Sequence, residues 1–324
     1  MEKTLTAKTS KAPATSLEQS RYPDLLAAID MGSNSFRLEI GQLSKGRYKR
    51  IEYLKETVRL GGGLDSHGML TEEATQRGLA CLAQFAQRLK GFASWQVRAV
   101  ATQTLREARN RDAFLQRADR VLGHRIEVIA GREEARLIYL GVSRLQPSEL
   151  PRLVIDIGGR STEMILGHGR TPIRKESFGV GSVSLSMQHF PKGQYTAENF
   201  RAAQIAAGAE LEEALTLFER SQWQEALGSS GTVGAVSQIL AANGITDGSI
   251  TPEALRWCME RCIEAGSAEL LSLPGLKPER KPVLAGGLCI LYTLASHFDI
   301  EALRPAKGAL RQGVIFDLDE RVEA

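Results

Sequence analysis

Asp30-Met31-Gly32-Ser33-Asn34-Ser35 and Asp156-Ile157-Gly158-Gly159-Arg160-Ser161 carry Asp, Gly and Ser at the same offsets. Each turn follows a short apolar run, Leu25 to Asp30 in the first case and Leu153 to Ile157 in the second. Each is followed by a second run, Phe36 to Ile40 or Thr162 to Leu166. Phe36, Leu38 and Ile40 alternate with Arg37 and Glu39, the period of a half-buried strand. The pattern is strand, tight turn, strand, made twice, and it predicts a duplicated domain.

Outward from these turns, helices and strands mix in the manner of a layered α/β protein. Thr71 is placed to cap a helix carrying Leu79, Leu82, Ala86 and Leu89 on one face. Val97 to Ala101 reads as a strand, Asn110 as a helix cap, and Ile126 to Ala130 as another strand before an amphipathic helix from Arg132 to Leu145. Gln146 to Pro151 reads as the loop that opens the second half. That half continues with helices over 197–220, 252–266 and 283–297, the middle one announced by Thr251 and Pro252. Ala226 to Thr232 runs from a short strand into a helix.

Composition limits what such a chain can be. With 324 residues, 43 % hydrophobic and 24 % charged, it has the balance of a two-domain globular protein with a large core. A net charge of +3 is too small for a nucleic-acid platform. No apolar run reaches the length of a membrane span, and the lysine-containing first 22 residues lack the apolar core of a secretory signal. They read as a mobile tail. Cys81, Cys258, Cys262 and Cys289 show no CxxC spacing and read as reduced thiols of a cytoplasmic protein, and the five histidines are scattered rather than set for zinc.

The turns suggest the chemistry. A glycine-rich turn lets backbone N–H groups approach an anion, and Ser and Asn add donors. Asp30, Gly32, Ser33, Asn34 and Ser35 form one such turn, and Gly158, Gly159 and Ser161 part of another. Gly228-Ser229-Ser230-Gly231-Thr232 supplies a third, at a helix N-terminus that also favours anions. Three such turns point to phosphate binding, although a lone Asp-x-Gly turn is usually only a hairpin. There is no GxxxxGK[ST] stretch. Asp156 and Glu163, seven residues apart across a hairpin, could share a hard cation, or merely cap the turn and meet solvent. Glu133 and Glu134 open a helix, where acidic residues ordinarily complement the dipole. Arg106 ends a strand segment as either a phosphate clamp or a surface charge.

Taken together, the stretches Ala28 to Phe36, Ala101 to Arg106, Ile129 to Ile138, Val154 to Glu163, Gly179 to Ser182, Gly228 to Thr232 and Gly308 to Gly313 resemble the exopolyphosphatase/guanosine pentaphosphatase family, the exopolyphosphatase branch most closely. The resemblance runs from about Leu25 to the end. It implies an actin-like ATPase-domain fold, two RNase-H-like lobes around a cleft. The lobes would comprise 25–130 plus 305–324, and 131–304, after a flexible 1–24. It implies Glu134 as general base, Asp156 and Glu163 as Mg2+ ligands, and the three turns with Arg106 as the grip on a phosphate chain. The implied substrates are inorganic polyphosphate or guanosine pentaphosphate, with no nucleic-acid partner. A homodimer, a non-catalytic polyphosphate or nucleotide sensor and a kinase of the same superfamily are the alternatives. Long members carry a further helical region; with the track confined to the cleft, cleavage is expected to be distributive. Arg160 stands where the family normally has glycine, and the reading is that it turns into the cleft and adds a contact to phosphate.

Overall fold

The computed structural model describes residues 20–44 and 46–323. The first half forms β1 (Leu25–Met31), β2 (Phe36–Ser44), β3 (Arg47–Glu56), α1 (Glu72–Arg88), β4 (Val97–Ala101), α2 (Gln103–Glu107), α3 (Arg111–Leu122), β5 (Ile126–Val128) and α4 (Gly131–Leu145). The second half forms β6 (Arg152–Ile157), β7 (Thr162–His168), β8 (Thr171–Phe178), α5 (Ser182–His189), α6 (Ala197–Glu210) and α7 (Glu212–Leu217). It continues with β9 (Glu225–Ser229), α8 (Gly231–Ala242), α9 (Pro252–Ala265), α10 (Lys281–His297), β10 (Leu303–Pro305) and α11 (Leu310–Glu323).

The duplication is visible in the sheets. One has the order β3-β2-β1-β4-β5, the other β10-β9-β6-β7-β8, which is the same order read from the opposite edge. Each begins as an antiparallel meander and continues in parallel, β1 with β4 and β6 with β9. This is the duplicated α/β arrangement of the actin-like ATPase domain. The registers correspond too: Asp30 lies opposite Arg37, and Asp156 opposite Glu163.

Three apolar clusters hold this frame. One lies under the first sheet, with Leu82, Phe85 and Phe114 from α1 and α3. A larger one lies under the second sheet. The third joins them: Leu26, Ala28 and Val100 face Val154, Ile165 and Leu227 across Leu137, Val142, Val314 and Ile315 of α4 and α11. The two helices approach backbone to backbone. A Cβ on Gly313 would lie 1.8 Å from the Leu137 carbonyl oxygen, so the Gly308-to-Gly313 stretch is first of all a packing seam.

That seam explains a departure from the expected alternation. Glu39, expected on the wet face of β2, is fully buried, because α11 covers that face. Its carboxylate accepts from Tyr48 of β3, from Gln312 and, at 3.1 Å, from Arg311. Strand β3 gives no apolar signal because it is a half-exposed edge. Thr71 and Thr251 cap α1 and α9 as read, each accepting from a backbone N–H three residues on. Asn110 precedes α3, but its side chain instead accepts from Leu70 N–H at 2.9 Å and donates to Leu70 C=O at 3.0 Å. The helix read over 197–220 is two, parted at Leu211. Of the tail expected over 1–24, residues 1–19 lie outside the described residues; Arg21 N–H reaches Gly91 C=O at 3.0 Å, and Tyr22 packs on Phe92 at 5.3 Å.

Candidate active site

The three Gly/Ser turns converge between the sheets. They line a cleft of about 370 Å3 with Asp30, Gly32, Ser33, Asn34 and Ser35, with Asp156, Gly158, Gly159 and Ser161, and with Ser230 and Gly231. Glu134 completes the wall. The first two turns close alike: a Cβ would meet the Ser35 carbonyl oxygen 3.1 Å from Gly32, and the Ser161 carbonyl oxygen 3.1 Å from Gly158. They also touch, since a Cβ on Gly159 would lie 2.8 Å from Ser33 Cβ. Ser182 braces the second turn by donating both N–H and hydroxyl to Gly158 C=O, at 2.9 and 3.0 Å. In the third turn Ser230 holds φ 124°, a strained conformation for a residue with a Cβ, and its hydroxyl oxygen accepts from Thr232 and Val233 N–H.

The two hairpins differ in one chemical respect. Residues directly opposite on antiparallel strands share a face. In the first hairpin Asp30 meets Arg37 at 2.8 Å, and Arg311 reaches the same carboxylate at 3.3 Å. In the second the arginine position is Glu163, so two carboxylates share a face. Glu163 Oε1 accepts from Ser177 Oγ at 2.7 Å, while Oε2 is buried without a hydrogen-bond partner among the described residues. Burial pushes Asp156 up to about 7, against the pull of the Ser229 hydrogen bond. Burial, then the Glu134 and Asp156 charges, raises Glu163 well above the usual range. An orphaned carboxylate oxygen beside a second, half-buried carboxylate in the cleft wall fits a cation. Among the described residues no cluster of three or more His, Cys, Asp or Glu is set to hold a metal, so further ligands would come from water or substrate oxygens.

The acidic pair that opens α4 divides by direction. Glu133 pairs with Arg136 at 2.8 Å and Arg98 at 3.6 Å, away from the cleft. Glu134 turns inward and is 7 % exposed. Burial raises it to about 7, although Arg106 donates to its Oε2 at 2.8 Å and opposes the shift. Such a carboxyl group is poised to exchange a proton near neutral pH.

Two arginines lie elsewhere than the turns suggested. Arg106 is not in the cleft wall but one layer behind it. Its guanidinium donates to Gln103 Oε1, Ile129 C=O and Glu134, and its Nη2 stands 3.9 Å from Glu163. Arg160 turns away from the cleft, donating to Glu107 at 2.7 Å and to Gly61 C=O at 3.1 Å. Its φ is not positive, so replacing glycine strains nothing at that position. What sequence reading missed is a set of cations in the wall: Arg37, Lys55, Arg280 and Arg311. The Arg280 guanidinium lies over the third turn, with Nη2 1.8 Å from where a Gly231 Cβ would stand. Burial and the Arg280 charge lower Lys55 from its ordinary value. The offset from Asp30 to Arg37, equal to that from Asp156 to Glu163, was the signal available for Arg37.

The buried carboxyl groups also predict a stability profile. A carboxyl whose folded pKa is raised binds more protons in the folded state between its unfolded and folded values. Asp156 therefore favours folding below about pH 4 and loses that contribution as pH rises through about 7. Metal-free protein should melt lower at pH 8 than at pH 5.5. Asp156→Asn should raise the melting temperature at both pH values, and by roughly 3 °C more at pH 8 than at pH 5.5. Equal shifts at both pH values would remove Asp156 as the cause.

A protein-family comparison matches residues 40–322 to the Ppx/GppA phosphatase family. A Haemophilus influenzae protein provisionally named exopolyphosphatase is 41 % identical over 92 % of each chain. A guanosine-5'-triphosphate,3'-diphosphate pyrophosphatase of Pseudoalteromonas atlantica is 40 % identical over 96 % of this chain, which spans 61 % of that relative. Among solved structures, an exopolyphosphatase-like protein superposes with a TM-score of 0.82 at 26 % identity, covering 93 % of this chain and 99 % of its own. The Aquifex aeolicus PPX-GPPA enzyme does so with a TM-score of 0.74 at 26 % identity, covering 90 % and 99 %.

Proposed function

The chain belongs to the Ppx/GppA phosphatase family, and from that membership we propose that it hydrolyses the terminal phosphoanhydride bond of inorganic polyphosphate. The observation that carries this reading is the mixed charge of one cleft wall, carboxylates from Glu134 and Asp156 beside cations from Arg37, Lys55 and Arg280. A terminal phosphoryl group at the carboxylates would leave the rest of a polyanion among the cations. Water attacks the terminal phosphorus, its proton passes to Glu134, and the bridging P–O bond breaks toward the leaving chain. Loop N–H groups hold the equatorial oxygens, since positioning and electrostatics dominate phosphoryl transfer. Asp156 and Glu163 would hold Mg2+, which supplies neutralisation of phosphate charge. Arg106 acts here by orienting Glu134 rather than by gripping phosphate.

The P. atlantica relative favours a second reading, removal of the 5' terminal phosphate of guanosine pentaphosphate. Among the described residues the cleft offers little for a guanine base: Tyr53, the tyrosine in its wall, already has the Arg50 and Arg311 guanidinium groups 5.4 and 5.2 Å from its ring centroid. Four buried free thiols fit a cytoplasmic setting, and no described helix is long and apolar enough to cross a membrane. The test is orthophosphate release with Mg2+ from long polyphosphate, tripolyphosphate and guanosine pentaphosphate in parallel. Faster release from polyphosphate is expected. Faster release from the nucleotide would select the second reading, and no release from any of them would leave a binding protein.

A further inference from the structure

Arg160 links two parts of the molecule that must come together for the site to exist. It belongs to the second turn, yet its side chain lies on the first lobe. Its Nε and Nη2 each stand 2.7 Å from Glu107 Oε2, and its Nη1 donates to Gly61 C=O at 3.1 Å. Gly61 N–H in turn donates to Ser33 C=O at 2.8 Å, so Arg160 rests against the back of the first turn. A Cβ on Gly61 would meet Arg160 Cδ and Ser33 Cβ, both at 2.9 Å.

Glu107 is the last residue of α2, which also carries Gln103 and Arg106. Its Oε1 accepts from Gln103 Nε2 at 2.7 Å, and Gln103 Oε1 accepts from Arg106 Nε at 2.8 Å. The amide can face only this way, because a carboxylate accepts and a guanidinium donates. Arg106 then donates to Glu134 at 2.8 Å. A continuous hydrogen-bonded path thus runs from the second turn to the inward-facing carboxyl group. The path also contains a competition. Arg106 and Glu107 are consecutive residues of α2, both hydrogen-bonded to Gln103, so Glu107 is a second carboxylate beside the guanidinium that serves Glu134. Arg160 neutralises Glu107 and leaves Arg106 to Glu134.

We propose that Arg160 is a positioning residue that makes orientation of Glu134 conditional on closure of the two lobes. With the lobes together, Arg160 occupies Glu107 and Arg106 serves Glu134. With them apart, Arg160 withdraws with the second turn, Glu107 is uncompensated, and it draws Arg106 from Glu134. The pair is suited to reversible use, since its side chains remain 21 % and 31 % exposed and each can return to water when the lobes part. The inference rests on the reading of Glu134 as the general base.

The experiment is a variant cycle on the full chain with polyphosphate as substrate. Arg160→Gly, the residue the second turn can accept, should lower kcat about tenfold with KM within about twofold, the effect of a misplaced catalytic group rather than lost binding. Adding Glu107→Gln should recover most of that loss, because an amide does not compete for Arg106. Spin labels on the two lobes should report a longer mean distance in substrate-free Arg160→Gly than in the unmodified protein. An unchanged kcat in Arg160→Gly overturns the proposal, as does a loss that Glu107→Gln fails to relieve. Glu134→Gln is run alongside: if it keeps full turnover, the base assignment itself fails, a result distinct from failure of the Arg160 coupling.

Discussion

Glu134→Gln should lower turnover at saturating polyphosphate by roughly 10²- to 10³-fold and leave substrate affinity nearly unchanged. Glutamine keeps the shape and an oxygen for Arg106, whose Nη1 stands 2.8 Å from Glu134 Oε2. What it removes is the ability to take a proton. Because burial raises Glu134 to about 7, the unmodified enzyme should lose kcat/KM as pH falls below about 7, where the carboxyl group is protonated. That acid limb should be missing from the residual activity of Glu134→Gln. Glu133→Gln is the matched control, since Glu133 faces Arg136 and Arg98 instead of the cleft. Turnover near that of the unmodified protein in Glu134→Gln would take the residue out of the mechanism.

Asp156→Asn and Glu163→Gln should each raise the Mg2+ concentration needed for half-maximal activity by about tenfold or more, because each removes a hard anionic ligand. The structural motive is the contrast between the hairpins. Asp30 has Arg37 opposite at 2.8 Å, whereas Asp156 has a second carboxylate opposite. Glu163 Oε2 has no hydrogen-bond partner among the described residues. The same substitutions relieve buried charge, so they should hold or raise thermal stability while activity falls. Opposite signs on activity and stability separate a metal-site effect from simple unfolding. Mg2+ titrations superimposable on that of the unmodified protein in both variants would refute the assignment.

Much of this was legible in the chain because the fold is written twice. The Asp-x-Gly-x-x-Ser turns at Asp30 and Asp156 became equivalent hairpins in sheets of the same order. Local signals sufficed where the physics was local, as at the Thr71 and Thr251 caps. They failed where a distant element decided. Glu39 reads as a solvent-facing residue of β2 and is buried only because α11 returns over it. Glu133 and Glu134 are neighbours with the same local rationale, and only the tertiary partners, Arg98 and Arg136 for one and Arg106 for the other, tell them apart. The wall cations come from separate elements, Arg37 from β2, Lys55 from β3, Arg311 from α11 and Arg280 from just before α10, so apart from the Asp30-to-Arg37 offset no spacing announces them. Arg160 misled for a related reason: its partner, Glu107, belongs to the other half of the chain.

Attack of water on the terminal phosphorus can be followed by hydrolysing tripolyphosphate in 18O-labelled water and weighing the products. Each released orthophosphate should carry one labelled oxygen, and the pyrophosphate none. Label in the pyrophosphate, with unlabelled orthophosphate, would place the attack on the inner phosphorus and rule out the proposed hydrolysis.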